Sequence, residues 1–374
     1  MGVPVKFNSS TRKPLILVSP LDWGLGHTTR CIPLIAELIS QGCDVIIACN
    51  STQKTILQQE FPQADFAELE GYNIRYGKNR LATFSWLLFQ ASKILTKIKQ
   101  ENQWLRIFLT KKRVDAVISD NRFGLHLPDI PTVFITHQLQ VKTGLGTMAD
   151  KIVLRWNYRK IRPFTVCWVP DSADSPSLAG ELSHPASMPG IPVQYIGGLS
   201  RLGACATQGE DFLLIILSGP EPLRTVFETL LLEQVATYKG KVVLVRGLPA
   251  QQHLPLAPAH CTLYNHVDAA TLHQLICAAK LVISRCGYTT VMDLLKLQKK
   301  SILVPTPGQA EQEYLADHLR EQGLAYTVKQ KEFSLNKALQ EAAQFPYQTN
   351  ATNLESYKPV VAAFADMLKK KKGL

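Results

Sequence analysis

Leu281-Val-Ile-Ser284-Arg285-Cys286-Gly287-Tyr288-Thr289-Thr290-Val-Met-Asp293-Leu-Leu295 reads as a strand running into a short glycine loop and then a helix. A helix that starts there leaves its first N–H groups without intrahelical partners, and such groups can hold phosphate. Gly287 lets a ligand approach the backbone closely. The hydroxyls of Thr289 and Thr290 can donate to anionic oxygens, and Asp293 lies one turn further on, in position for the hydroxyls of a ribose. The same letters also describe an ordinary capped helix, with Thr289 or Thr290 as the cap and Asp293 easing the macrodipole.

Working outward, short apolar runs alternate with longer helical patterns along the chain. Before the central stretch come Leu15 to Ser19, Val45 to Ala48, Ala116 to Ser119, Thr132 to Thr136 and Val166 to Val169; around it come Gln194 to Ile196, Phe212 to Leu217, Val242 to Val245 and Ile302 to Val304. Strand and helix in alternation imply α/β architecture with parallel, doubly wound sheets. The stretch from Asp171 to Pro192, rich in Asp, Ser, Pro and Gly, has no helical periodicity and reads as a linker. The expected division is residues 14–170, a linker at 171–192, and residues 193–350. A last helix and basic tail at 351–374 are expected to pack back on the first domain. Ligands of open parallel sheets bind beyond the carboxyl ends of the strands, so the loops after strands are where chemistry belongs.

One such loop, Asp22-Trp-Gly24-Leu-Gly26-His27-Thr-Thr-Arg30, follows the first strand. Gly24 and Gly26 permit close backbone approach to a sugar or an anion, although a tight turn has the same composition. The spacing departs from G-x-G-x-x-G, so a nicotinamide-type fingerprint is not supported. His27 and Asp22 are the two candidate bases for an acceptor hydroxyl, one by its near-neutral imidazole and the other by a carboxylate whose pKa a closing cleft can raise.

The chain has 374 residues, more than one core usually supports, and its 46% apolar content excludes general disorder. A formal net charge of +11 favours anionic partners. The eight cysteines contain no C-x-x-C pair and read as buried reduced thiols. No Asp-x-Asp and no His/Cys group of ligand spacing is evident, so no metal is expected. Charge on a leaving diphosphate is then balanced by helix termini, hydroxyls and arginine. Residues 1 to 13 are polar, and the first apolar run is too short for a signal peptide. The expected location is the cytoplasm, peripheral on the inner face of the membrane.

The central stretch, followed by Ile302-Leu-Val-Pro305-Thr-Pro307-Gly-Gln-Ala-Glu-Gln312-Glu313, resembles the carboxyl-terminal signature of family 28 glycosyltransferases, and Asp22 to Arg30 resembles that family's amino-terminal glycine loop. The resemblance runs from about Pro14 to about Tyr326. It implies a GT-B fold of two Rossmann-like domains facing across a cleft, with the acceptor mainly on the first and a nucleotide-sugar donor on the second. It implies an inverting transfer of a hexose or N-acetylhexosamine, with no cofactor besides the nucleotide-sugar co-substrate. Ser284 opens the matching motif, Asp293 stands where a glutamate binds ribose, Gln312 and Glu313 where paired glutamines contact the donor sugar, and Val267 where backbone groups read uracil. Arg201 matches an arginine near the phosphates. His137 matches a histidine on the acceptor side, where Asp120, Gly24 and Gly26 are also placed. The family's second glycine loop is here Ser218-Gly219-Pro220-Glu221-Pro222-Leu223-Arg224. Ser218 and Gly219 remain donor candidates, but two prolines remove N–H donors, which leaves Arg224 either as a compensating phosphate ligand or as a solvated helix residue.

Between Lys78 and Arg113, Leu81, Phe84, Trp86, Ile94, Ile98, Trp104, Leu105 and Phe108 are interleaved with basic residues. This fits a helix lying on anionic lipid, as a lipid-linked acceptor would require, and equally a core-packed helix with a basic outer face. Lysine and arginine are otherwise scattered without a nucleic-acid motif, so nucleic acid is not an expected partner. The alternatives are a nucleotide-sugar hydrolase or epimerase on the same fold, or a noncatalytic nucleotide-sugar-binding protein.

Overall fold

The strand-forming runs are apolar on both faces, as in parallel strands covered by helices on either side, and the chain folds accordingly. The structure, a computed structural model, describes residues 12–72, 80–205, 210–348 and 356–372, with the side chains of residues 80–91 left out. The first domain comprises β1 (Leu15–Pro20), α1 (Leu25–Ser40), β2 (Asp44–Cys49), α2 (Ser51–Glu60), β3 (Asp65–Glu68), α3 (Arg80–Lys111), β4 (Ala116–Asp120), β5 (Thr132–Ile135), α4 (Thr147–Ile161), β6 (Val166–Val169) and β7 (Val193–Tyr195). The second comprises β8 (Phe212–Ile216), α5 (Leu223–Val235), β9 (Lys241–Val245), β10 (Cys261–Tyr264), α6 (Ala269–Ala278), β11 (Leu281–Arg285), α7 (Tyr288–Lys296), β12 (Ser301–Val304), α8 (Ala310–Glu321), β13 (Tyr326–Thr327) and α9 (Leu335–Gln344). A final helix, α10 (Tyr357–Lys371), packs against α1.

All strand pairs are parallel, in the orders β3-β2-β1-β4-β5-β6-β7 and β10-β9-β8-β11-β12-β13. Strand order therefore reverses between β1 and β4 in one sheet and between β8 and β11 in the other. These switch points open crevices at the carboxyl ends of the strands, into which the loop 21–24, Asp120 and the Cys286–Gly287 turn project. One hydrophobic core runs through both domains, from Ile16, Leu34 and Trp168 to Val282, Met292 and Leu315, with Val361, Phe364 and Leu368 of α10 joining it.

Three readings of the sequence change. The strand at 193–195, grouped with the second series, pairs with β6 as the edge of the first sheet. The chain crosses between domains after Tyr195, and the 171–192 stretch is not a free linker. Asp171, fully buried, gathers it by accepting the N–H groups of Leu178 (2.8 Å) and Ala179 (2.9 Å) and the Ser183 hydroxyl (2.5 Å). The segment is held to α8 by Tyr314 and His318, so its polar composition marks turns rather than mobility. From residue 92 onward one face of α3 packs on the core, while its Leu95 and Ile107 are exposed. Ile98 and Leu105 are buried, Trp104 and Phe108 pack on the sheet, and Glu101 lies under it bonded to Arg122 (2.9 Å) and Tyr72 (2.7 Å). Of the residues named for a lipid face at 78–113, Ile98, Trp104, Leu105 and Phe108 thus pack inward; Lys78 and the side chains of Leu81, Phe84 and Trp86 lie outside the described residues. Among the described residues no helix is long and apolar enough to cross a membrane.

Candidate active site between the two lobes

Helix α1 begins at Leu25 with Gly24 as its N-cap at φ +72°, a left-handed conformation that favours glycine. Helix α7 begins at Tyr288 with Gly287 as its N-cap and no side-chain cap bond, so neither Thr289 nor Thr290 is the cap. The two amino termini meet. The Thr289 hydroxyl donates to the Gly26 carbonyl at 3.2 Å, and a Cβ on Gly26 would lie 2.9 Å from that hydroxyl oxygen. Two positive helix ends converge on one place, an arrangement suited to a polyanion.

Beside this junction a hydrogen-bonded chain crosses from lobe to lobe. His27 Nδ1 lies 2.9 Å from Asp120 Oδ2. Arg30 grips the same carboxylate with Nε at 2.9 Å and with Nη2, and its Nη1 donates to His137 Nδ1 at 3.3 Å. His137 Nε2 then reaches Glu311 Oε1 of α8 at 2.7 Å, and the His137 ring stacks on Tyr288 at 4.1 Å between centroids. The bonds fix both tautomers, because a guanidinium and an ionised carboxylate each have one role. His137 accepts at Nδ1 and donates from Nε2, while His27 donates from Nδ1 and keeps its lone pair on Nε2. Burial alone would raise the Asp120 carboxyl, but Arg30 and His27 outweigh it and hold it well below the usual carboxylate range. Burial lowers the His27 pKa, Arg30 adds to this, and Asp120 opposes it; the net position is below 6.5. Burial raises Glu311, but His137 outweighs it and holds that carboxyl below its ordinary value.

Residues 247–369 match the Glycosyltransferase family 28 C-terminal domain, and they carry α7 and the loop before α8. The match takes in the second domain from the end of β9 onward and most of α10, about a third of the chain. A curated relative, the UDP-N-acetylglucosamine–N-acetylmuramyl-(pentapeptide) pyrophosphoryl-undecaprenol N-acetylglucosamine transferase of Lachnoclostridium phytofermentans, is 33% identical over 98 residues. That match covers 25% of this chain and 27% of the relative, so it spans about a quarter of the relative's length. Among solved structures, the glycotransferase of kitacinnamycin aligns with a TM-score of 0.62 at 16% identity, over 97% of this chain and 95% of that one. MurG of Acinetobacter baumannii aligns with a TM-score of 0.56 at 15% identity, over 96% of this chain and all of that one. At such identities the likeness shows the fold, which is the GT-B arrangement.

The other residues named from the sequence for the donor side have the following surroundings. Asp293 accepts the Ser200 hydroxyl at 2.5 Å and is half-buried. Arg201 pairs with Glu60 of α2 at 3.2 Å instead of lying free for phosphate. Ser284 is fully buried and spends its hydroxyl on the Ile216 carbonyl. Gln312 and Glu313 fold back on their own loop, accepting the N–H groups of Thr306 and Gly308. Ser218 and Gly219 stand exposed, and Val267 is half-buried just before α6. Arg224 is neither a free phosphate ligand nor solvated: it is buried and bound to Glu221 (2.5 Å) and Glu228 (2.9 Å), and Glu228 also holds Arg246. In the first domain Asp22 accepts the Tyr72 N–H at 3.0 Å, and His27 is the base candidate bonded to Asp120 at the junction.

Sequence reading overlooked Arg30, Tyr288 and Glu311. Arg30 carried a signal, since three residues after His27 on a helix puts both on one face. A further correction concerns sulfur. Cys205 and Cys277 form a disulfide across 72 residues, a pairing that spacing cannot reveal, while the other six cysteines are buried and free. His273 joins them, so a His/Cys group of ligand geometry does exist, contrary to expectation.

Proposed function

We propose that this chain is a glycosyltransferase that moves a hexose or N-acetylhexosamine from a UDP-sugar to a hydroxyl of a lipid-linked or glycan acceptor. Configuration inverts and no divalent ion is required. The observation that carries this reading is the His27–Asp120 pair beside the start of α7. The acceptor O–H gives its proton to His27 Nε2 as the acceptor oxygen bonds to the anomeric carbon. The bond from that carbon to the diphosphate breaks, and its electron pair leaves with the diphosphate. Asp120 holds the imidazole by Nδ1 and stabilises the imidazolium that forms, while the converging helix ends and the Thr289 hydroxyl take up charge on the leaving group. Because burial holds the His27 pKa below its ordinary value, the ring is neutral and able to accept a proton at pH 7, and activity is expected to fall on acidification.

The UDP donor and lipid-linked acceptor are supported by the curated relative, whose name specifies UDP-N-acetylglucosamine and a pyrophosphoryl-undecaprenol acceptor. The surface supports the same reading. Helix α4 and the loop before it expose Leu145, Met148 (71% exposed), Ile152 (63% exposed) and Trp156, interleaved with exposed Lys151, Arg155 and Arg159. This is an apolar, basic face suited to anionic lipid. The test is turnover of UDP-sugars with polyprenyl-diphosphate-linked saccharides, read as UDP release and product mass. His27→Ala is expected to lower kcat by roughly 10²–10⁴-fold, with folding and UDP affinity retained and activity unaffected by chelator. Wild-type rates in the His27 variant, or loss of activity with chelator, would contradict the proposal.

A further inference from the structure

Outside the cleft, one cluster has metal-binding chemistry that the reaction above does not use. Helix α6 carries His273 and Cys277 four residues apart, on one face of the helix, and Cys205 approaches them from the segment that enters the second domain. The two sulfurs and one imidazole nitrogen lie within 4.8 Å of one another. A tetrahedral zinc ion needs ligand atoms about 3.5–4 Å apart, given Zn–S near 2.3 Å and Zn–N near 2.0 Å. His273 Nε2 donates to the Gly203 carbonyl at 3.1 Å, which leaves the lone pair of the neutral ring on Nδ1. Metal-ligating histidines are commonly oriented by such a backbone acceptor. Cys277 is buried, whereas Cys205 and His273 are half-buried, so the group is fixed on one side and reachable from solvent on the other.

We propose that Cys205, His273 and Cys277 form a site for a zinc-like cation when the two cysteines are reduced, with water as the fourth ligand, and that the Cys205–Cys277 disulfide is the alternative, metal-excluding state of the same site. Reduction by a dithiol breaks the S–S bond and leaves two thiols, while the dithiol is oxidised to its own disulfide. Binding of the cation then releases the two thiol protons to solvent. Either state clips the entry segment to α6. That segment also carries Ser200, the partner of Asp293, and α6 starts two residues after Val267, so the clip joins two stretches that border the proposed nucleotide region.

The experiment uses the full chain, reduced with a dithiol and desalted without oxygen, and titrated with Co²⁺ and with Zn²⁺ against a chromophoric chelator. One equivalent of metal is expected, with a thiolate-to-cobalt charge-transfer band and the visible bands of four-coordinate cobalt. Zn²⁺ is expected to raise the thermal midpoint of the reduced chain only. Cys205→Ser should abolish the charge-transfer signal of this pair, and His273→Asn should weaken binding by roughly tenfold or more. His273→Asn leaves the disulfide available, so its metal-free thermal midpoint after oxidation checks that it folds. A reduced chain that takes up no cobalt, a spectrum unchanged in Cys205→Ser, or equal binding by the oxidised chain would each overturn the proposal.

Discussion

Asp293 sits where a charge is expensive. Its carboxyl accepts the Ser200 hydroxyl, and burial pushes its pKa from 3.8 to about 6 despite Arg201 and Lys296 nearby. A folded-state pKa above the unfolded value means that the native form holds the proton more tightly. Stability is therefore lost as pH rises from about 4 to 6, and stays lost above. Asp293→Asn keeps the acceptor for Ser200 and removes the charge. It is expected to raise stability by on the order of 1–3 kcal/mol at pH 7.5, with the gain vanishing near pH 4, and to weaken UDP binding. Thermal unfolding at both pH values, paired with nucleotide titration, measures this; a gain independent of pH would rule out charge burial as the cause. Residues of this kind were legible as types in a motif, because Gly287, Thr289 and Asp293 fall in order on a helix start. The His27–Asp120 pair was legible only as two separate candidates, since 93 residues separate them and only the adjacency of β1 and β4 brings them together. Arg201 was misplaced for the same reason: its partner, Glu60, belongs to the other domain.

At the scale of elements, the contact of α1 with α7 is the hinge of the chemistry. Gly26 has ordinary helical backbone within α1, so alanine there costs nothing in local conformation and gains helix propensity. Its methyl group would nevertheless lie 2.9 Å from Thr289 Oγ1 and 3.4 Å from Thr289 Cβ, a short branched side chain that cannot swing clear. The helix ends must then separate by a few tenths of an ångström. Gly26→Ala is expected to reduce kcat/KM by roughly tenfold or more while leaving the thermal midpoint nearly unchanged, because misplacement at a reacting centre costs far more in rate than in stability. Thr289→Ala alone loses one hydrogen bond, and in the double variant the added methyl has room, so the two losses should be less than additive. Additive losses in kcat/KM across the four proteins would show that the contact is not the cause. Elements were legible where burial is two-sided and continuous, as in β1, β4 and β11. They were not legible in β3, β10 and β13, edge strands with few or alternating apolar residues that pair only because a neighbouring strand presents its ladder.

For the whole molecule, the decisive feature is that the last helix of the chain belongs spatially to the first domain. Val361, Phe364, Ala365 and Leu368 of α10 are buried against α1 and β6, with Phe364 edge-on to Trp168 at 5.4 Å, and Lys372 pairs with Asp115 at 2.6 Å. A helical pattern ahead of a basic tail announced a helix that was expected to pack back on the first domain, and α10 lies against α1. The chain therefore makes two crossings between the lobes, one after β7 and one before α10, and its core is continuous through both. Such a molecule should lose its two domains together. Phe364→Ala removes a buried ring, a change that costs about 3–5 kcal/mol, which for a chain of this size corresponds to a fall of about 4–6 °C in the thermal midpoint. Scanning calorimetry is expected to show a single transition moved as a whole, with UDP raising it in both proteins. Two transitions, of which only one shifts, would mean that α10 stabilises the first lobe without joining it to the second.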